Sequence, residues 1–217
     1  KPTNNFLNYC VNNYLTGGKT SIKSKYLYGN FYDNNTEYSH LINLIRGSKK
    51  SIFMENQWVF STNKSKSVIK EILDKSINNE NLKFILITNS KYIDVCHRNI
   101  TKKMSLSLNC KVYTYIFSTY FYATLKFMSS YLEKHNIPLS RVNDQIKIYV
   151  SSENMLVHAK NVIIDSNKML YGTSNIWDRS YIEGNDIEMS IYLKGDKVKQ
   201  LEYQILKQYM GSSNNLD

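Results

Sequence analysis

The chain has 217 residues, carries a net charge of +10 and is 42% hydrophobic. Its length and apolar content predict one globular domain with a substantial core, and no stretch reaches the roughly 18 continuous apolar residues that a membrane-spanning helix needs. The charge favours anionic partners such as nucleic acid, acidic lipid headgroups or phosphate-bearing substrates, although lysines that only solvate the surface would give the same total.

Helices and strands are predicted to alternate along most of the chain. Residues 1–36 are expected to be an irregular lead-in of loops and short strands. Apolar residues at helical spacing predict helices over 37–46, 66–77, 92–108, 119–135 and 196–210. Short apolar runs predict strands over 51–54, 82–88, 111–117, 145–150, 157–165, 169–171 and 188–193. Residues 211–217 are expected to be a flexible tail. This order predicts an α/β fold with a mixed, mostly parallel β-sheet sandwiched between helices.

The segment between residues 157 and 193 contains several side chains that phosphodiester chemistry uses. The imidazole of His158 can attack phosphorus or protonate a leaving oxygen, because its ordinary pKa lies near neutral pH. The ammonium of Lys160 can hold one phosphate oxygen, and the amide of Asn175 can donate to another. Glu188 can orient the imidazole by accepting its other N–H. Together these residues predict a phosphate site.

Spacing predicts which of these residues act together. Alternate residues of a strand share a face, so His158 and Lys160 are expected to project into the same space. Asp165 has the opposite parity, and we interpret it as a hydrogen-bond or ion-pair anchor at the strand end. A tight turn is predicted at Ser166-Asn167, and Gly172 marks a close approach of the backbone to the site.

These residues match a known signature, H-x-K-x4-D followed by G-S-x-N. It stands here as His158-Ala-Lys160, Asp165 and Gly172-Thr173-Ser174-Asn175, with Thr173 in the usual serine position, and it resembles the phospholipase D superfamily. The stretch from Asn175 to Glu188 is similar to the second motif of eukaryotic phosphatidylcholine-cleaving phospholipases D. Upstream, Glu55-Asn56-Gln57 resembles a strand of the same C-terminal half.

The resemblance implies that residues 37–210 form a phospholipase D-like domain with one HKD motif. It implies a metal-independent phosphodiesterase without a cofactor, whose catalytic residues are His158, Lys160, Asn175 and Glu188, supported by Asp165, Thr173 and Gly172. Glu55 and Gln57 have the same strand parity and are expected to face the site, with Asn56 and Trp58 pointing away. Asp178 and Arg179 are expected to form a local ion pair.

Family members normally use two such motifs, but this sequence has only one. The other histidines, His40, His97 and His135, are not followed by lysine two residues later. The chain is therefore expected either to be the C-terminal half of a longer enzyme or to pair with a second copy. Upstream sequence is also implied by the start at Lys1 rather than Met.

The resemblance implies hydrolysis of a phosphatidylcholine-type phospholipid through a phosphohistidine, with His158 as the proton donor by analogy with two-motif relatives. A peripheral protein at a membrane surface or a cytoplasmic protein is expected, and secretion stays open because a signal peptide would precede Lys1. One alternative is a homodimeric, metal-independent nuclease that binds nucleic acid. Another is an inactive phosphate-binding module.

Overall fold

The computed structural model describes residues 23–28, 36–60, 62–89, 108–151, 157–181, 186 and 188–210. Within these ranges, seven strands form one sheet: β1 (Lys23–Tyr28), β2 (Ser51–Asn56), β3 (Lys83–Thr88), β4 (Ile146–Val150), β5 (Lys160–Ile164), β6 (Lys168–Gly172) and β7 (Met189–Lys194). The helices of the same ranges are α1 (Thr36–Arg46), α2 (Asn63–Asn78), α3 (Leu108–Lys134), α4 (Leu139–Val142), α5 (Asp178–Tyr181) and α6 (Lys197–Met210). None of them is long and apolar enough to cross a bilayer.

The strand order is β1-β7-β6-β5-β2-β3-β4. Only β2–β3 and β3–β4 are parallel pairs, yet five of the seven strands (β1, β2, β3, β4 and β6) run in the same direction because β5 and β7 alone are reversed. The predicted α/β class, with a mixed sheet between helices, is confirmed. The carboxyl ends of β2, β3, β4 and β6 therefore meet the amino ends of β5 and β7 at one edge.

Alternation along the central strands divides the core into two layers. Met54, Val162 and Ile164 face one side, where they pack with residues of α1, α2 and α3. Phe53 and Ile163 face the other side, where they pack with α6. Both faces of the central strands are covered, which explains their nearly continuous apolar sequences.

The β5–β6 hairpin turns at Asp165 and Ser166, which have φ angles of 54° and 52°. The Asn167 N–H donates to the Ile164 carbonyl at 3.1 Å, so the predicted turn is present. The Asp165 carboxylate accepts hydrogen bonds of 2.7–3.1 Å from three backbone N–H groups, those of Lys49, Lys50 and Ser51. Burial acts to raise the pKa of Asp165, but these N–H groups bring it below its usual value. Asp165 thus ties the hairpin to the start of β2, at the end of β5 away from His158.

Two predicted segments differ from the observed structure. The strand predicted over 111–117 is wrong, because these residues belong to the 27-residue helix α3. Its aromatic and β-branched residues suit a strand, but a short apolar run does not separate strand from helix, and the continuous helix overrides the local preference. Within the predicted lead-in, Lys23–Tyr28 forms edge strand β1 against β7. The helix predicted over 92–108 and the tail predicted over 211–217 lie outside the described residues, apart from Leu108, which is the first residue of α3.

Asp178 caps the N-terminus of α2. Its carboxylate accepts hydrogen bonds from the backbone N–H groups of Asn63 and Lys64 at 3.0 and 2.8 Å, and from the Thr62 hydroxyl at 2.8 Å. Arg179 pairs instead with Asp186 at 2.7 Å. The predicted Asp178–Arg179 ion pair is therefore wrong. The unpaired N–H groups at the start of a helix favour a carboxylate, and Asp178 binds them instead.

Candidate active site

The residues of the signature meet at one edge of the sheet. In the antiparallel register, Asn56 at the end of β2 lies opposite Lys160 at the start of β5. Gly172 at the end of β6 lies opposite Ser190 of β7. This arrangement brings the H-x-K segment, the Glu-Asn-Gln segment and the G-T-S-N segment to neighbouring strand ends.

Lys160 is buried, with 9% of its surface exposed. Its ammonium donates to the Gln57 side-chain oxygen at 2.7 Å and to the backbone carbonyl of His158 at 2.6 Å. Burial lowers the pKa of Lys160, while the nearby Glu188 carboxylate acts to raise it. An ammonium has three N–H donors, so the two described contacts leave capacity for one further acceptor such as a phosphate oxygen.

The strand predicted from residue 157 begins only at Lys160. His158 therefore lies in the short segment that leads into β5, here called the approach segment. Its side chain is exposed. The pKa of His158 is lowered first by partial burial and then by the positive charge of Lys160. In the structure the imidazole donates no hydrogen bond to Glu188 or to any other described residue.

Asn89, at the end of β3, holds this approach segment in place. Its side-chain oxygen accepts from the Val157 N–H at 2.8 Å, and its amide donates to the Val157 carbonyl at 2.9 Å and the Gln57 carbonyl at 3.2 Å. Asn89 is 4% exposed, so these contacts are shielded from water. It therefore links the residue before His158 to the residue that binds Lys160.

Glu188 is buried and binds two hydroxyl groups. The Ser180 hydroxyl donates to one carboxylate oxygen at 2.7 Å, and the Thr173 hydroxyl donates to the other. The expected hydrogen bond from the His158 imidazole to Glu188 is not present in the structure, where the described partners of Glu188 are these two hydroxyls. Glu188 thus ties the G-T-S-N turn to α5, and its charge acts on the buried Lys160.

The turn itself depends on close packing of β6 against β7. A Cβ atom added to Gly172 would lie 1.9 Å from the Ser190 hydroxyl oxygen and 2.6 Å from the Met189 carbonyl oxygen, so only glycine fits there. Thr173 next along the chain is exposed, and its hydroxyl accepts the Met189 N–H at 3.1 Å. The usual serine can be replaced by threonine here because its extra methyl group is on an exposed residue.

Asn175 is partly buried, and its side-chain oxygen accepts the Trp58 N–H at 3.2 Å. This contact directs the amide nitrogen of Asn175 away from the Trp58 backbone and leaves it able to donate to an anion. The Asn175 backbone N–H donates to the Ser180 hydroxyl at 3.1 Å. Ser180 is fully buried, and its hydroxyl connects Asn175 to Glu188 by accepting from the first and donating to the second.

Strand parity fails at the end of β2. Glu55 lies on the far side of the sheet, where it accepts hydrogen bonds from Asn161 at 2.6 Å and from Tyr209 of α6. The expectation that Glu55 faces the site with Gln57 is therefore wrong. Because the strand ends at Asn56, the chain turns there and strict alternation does not extend to Gln57, which binds Lys160.

Asn56 also differs from its expected orientation away from the site. Its amide donates to the Ser174 carbonyl at 3.3 Å, and its side-chain oxygen accepts the Ile176 N–H at 3.2 Å. These buried contacts hold both sides of Asn175. The sequence did not predict Asn56, Asn89 or Ser180 as site residues. Asn56 and Ser180 lie within the stretches that resemble the family, whereas nothing in the sequence indicated Asn89.

An aromatic patch, consisting of Trp58, Phe60, Tyr120 and Trp177, borders Asn175. Ring centroids lie 5.7 Å apart for Trp58–Phe60, 5.5 Å for Phe60–Trp177 and 5.1 Å for Phe60–Tyr120. Phe60 is buried, whereas Tyr120 is 42% exposed. The patch therefore presents apolar surface beside the polar site. In the described ranges, no group of three or more His, Cys, Asp or Glu side chains is placed to hold a metal ion.

Solved structures share this fold at low sequence identity. The phosphatidylserine synthase of Haemophilus influenzae Rd KW20 matches with a TM-score of 0.60 and 12% identity over 87% of this chain, which spans only 38% of the synthase. NucT from Helicobacter pylori matches with a TM-score of 0.53 and 12% identity, covering 88% of this chain and 96% of NucT. The phospholipase D family member Nuc from Salmonella typhimurium matches with a TM-score of 0.52 and 12% identity, covering 88% and 93%.

The chain thus has the fold of these proteins. No family model and no curated protein matches its sequence. The proposed function therefore rests on the fold and the geometry of the site.

Proposed function

We propose that this chain provides one half-site of a phosphodiesterase of the phospholipase D superfamily. The observation that carries the proposal is the buried ammonium of Lys160, held between Gln57 and the backbone of an exposed His158. A buried cation beside an exposed imidazole suits a substrate that is anionic and needs proton transfer. Asn175 supplies an amide donor for the same anion.

The proposed reaction proceeds through a phosphohistidine. An imidazole nitrogen from a second motif attacks phosphorus, and the bond from phosphorus to the departing alcohol breaks as His158 gives its proton to that oxygen. Water then attacks phosphorus, the nitrogen–phosphorus bond breaks, and the water proton passes to His158. In the five-coordinate phosphorus transition state, Lys160 offsets the negative charge on one oxygen and Asn175 donates a hydrogen bond to another. The second motif comes from an upstream half or from a second copy of the chain.

We propose a phosphatidylcholine-type phospholipid at a membrane surface as the substrate. The sequence around Glu188 resembles phosphatidylcholine-cleaving enzymes, and the aromatic patch offers apolar surface beside Asn175. The fold likeness to a phosphatidylserine synthase is consistent with a phospholipid substrate. These three features favour a lipid over a fully polar diester.

A homodimeric nuclease is the second candidate. The net charge of +10 favours a polyanion, and this chain covers 96% of NucT and 93% of Nuc, so a chain of this size can hold nearly the whole fold of either protein. An inactive module that binds phosphate without turnover is the third candidate, because a lone half-site lacks the second imidazole.

The test compares wild type, His158→Ala and the control His135→Ala, in which the exposed histidine after α3 is removed. Each is assayed on phosphatidylcholine in mixed micelles and on a single-stranded oligonucleotide, and its mass in solution is measured by light scattering. We expect loss of lipid hydrolysis only in His158→Ala. Oligonucleotide cleavage by a dimer would support the nuclease instead. Equal and measurable rates in all three proteins would refute a catalytic role for His158.

A further inference from the structure

A buried carboxyl group lies under the G-T-S-N turn, outside the signature residues. Glu37, in the first turn of α1, has only 3% of its surface exposed. The Ser174 hydroxyl donates to its Oε2 at 2.7 Å, across 137 residues of sequence. The Ser190 hydroxyl, which contacts Gly172, also lies beside this carboxyl but makes no hydrogen bond of normal geometry. Glu37 therefore lies between the turn residue Ser174 and Ser190 of β7.

Building on the proposed function, we infer that Glu37 is a positioning residue of the phosphate site, a buried carboxylic acid that holds Gly172–Asn175 in place through the Ser174 hydroxyl. Ser174 stands between two residues that act on the site. Thr173 binds Glu188, and Asn175 offers its amide toward the anion. A displacement of Ser174 moves both neighbours, so the carboxyl acts on substrate only through the turn.

Burial of Glu37 favours the neutral form of its carboxyl group. Burial raises its pKa from 4.5 to about 7, the Ser190 and Ser174 hydroxyls act to lower it, and the negative charge of Glu188 raises it further. A neutral carboxyl can still accept from Ser174 through one oxygen. Once Glu37 ionises, the carboxylates of Glu37 and Glu188 share one buried region under the turn, and the added negative charge opposes an anionic ligand.

The described groups that face Glu37 are few. Glu188 precedes β7, Tyr181 belongs to α5 and Tyr38 is the next residue of α1, and the pKa of Tyr181 is raised by burial and by both carboxylates. His40, further along α1, contacts the ring of Tyr192 at 4.5 Å between centroids. Of these groups, Glu188 carries the negative charge that would repel an ionised Glu37.

The test measures binding of inorganic sulfate, a tetrahedral anion whose charge is constant from pH 5.5 to 8.5, by calorimetry and by the imidazole C–H signals of His158. Glu37→Gln keeps an oxygen acceptor for Ser174 but cannot ionise. Glu37→Leu keeps the bulk and removes the acceptor. Glu133→Gln, on the exposed side of α3, controls for the loss of one negative charge.

We expect wild type and Glu37→Gln to bind sulfate equally at pH 5.5, with wild type up to about tenfold weaker at pH 8.5, which corresponds to about 1.4 kcal/mol of repulsion. Glu37→Leu should bind more weakly at every pH, and Glu133→Gln should follow wild type. Sulfate binding by Glu37→Leu as tight as that of wild type would overturn the positioning role while leaving the phosphate site intact, and parallel curves for wild type and Glu37→Gln would overturn the ionisation of Glu37 in this pH range. If Glu37→Leu does not fold, Ser174→Ala, which removes the donor to Glu37, takes its place and should also weaken sulfate binding at every pH. Sulfate binding that is absent, or unchanged in His158→Ala, would overturn the proposed function as well.

Discussion

The buried carboxyl of Glu37 predicts an unusual dependence of stability on pH. Its pKa in the folded protein is about 7, compared with a usual value of 4.5. The folded state therefore keeps this proton over a range in which the unfolded chain releases it. A pKa difference of about 2.5, at about 1.4 kcal/mol for each pH unit, corresponds to about 3 kcal/mol of unfolding free energy.

The sign follows from the raised pKa. The stabilisation from the protonated group is fully present below pH 4.5, is lost progressively as the pH rises to 7, and does not change further at higher pH. Glu37→Gln lacks this titration. The unfolding free energy of wild type minus that of Glu37→Gln should therefore fall by about 3 kcal/mol between pH 4.5 and 8, while the titration of other groups cancels in the difference.

Urea unfolding of both proteins at pH 4.5, 5.5, 6.5, 7.5 and 8.5 measures this quantity. Glu133→Gln serves again as the control for one lost surface charge. A difference between wild type and Glu37→Gln that stays constant within about 0.5 kcal/mol over this range would refute the reasoning, because it would mean that Glu37 titrates in the folded protein as it does in the unfolded chain.

Three further predictions concern the sheet edge and the hairpin. Lys160→Gln should raise the pKa of His158, since one of the two causes that lower it is removed; NMR titration of the imidazole would contradict this if the pKa stayed the same. Gly172→Ala should lower the unfolding free energy by about 1 to 3 kcal/mol because its methyl group has no space beside Ser190, and an unchanged urea midpoint would be the opposing result. Asp165→Ala should lower the unfolding free energy by about 1 to 3 kcal/mol at neutral pH, because three backbone N–H donors lose their carboxylate acceptor. That cost should shrink as the pH falls through the lowered pKa of Asp165, and a pH-independent cost would argue against the carboxylate as its source.

The sequence predicts the elements best where apolar periodicity is long or continuous. Helix α2 and strand β3 have such patterns, and both form close to their predicted limits. The aromatic stretch over 111–117 has no distinctive period, so its neighbours along the chain decide its structure. A long helix absorbs it, which local preference alone does not indicate.

The site is predictable from sequence only where its residues are close along the chain. His158 and Lys160 are two residues apart and therefore close in any fold, but β5 begins only at Lys160, so strand alternation does not extend to His158. Asn89 and Glu37 act on Val157 and Ser174 across 68 and 137 residues. No pattern in a single sequence reports such distant partners, because they depend on how the sheet brings strand ends together. The wrong prediction for Glu55 has a similar origin. The sequence does not show that β2 ends at Asn56, so strand alternation was extended too far, to Gln57.

The contact between Tyr209 and Glu55 has a practical consequence for shortened versions of the protein. The phenol of Tyr209, near the end of α6, binds a carboxylate that is otherwise enclosed at the centre of the sheet. Removal of the last turn of α6 would leave Glu55 with one fewer donor in a place that water cannot easily reach. Expression trials that trim the C-terminus should therefore stop after this tyrosine, because shorter products are expected to lose solubility.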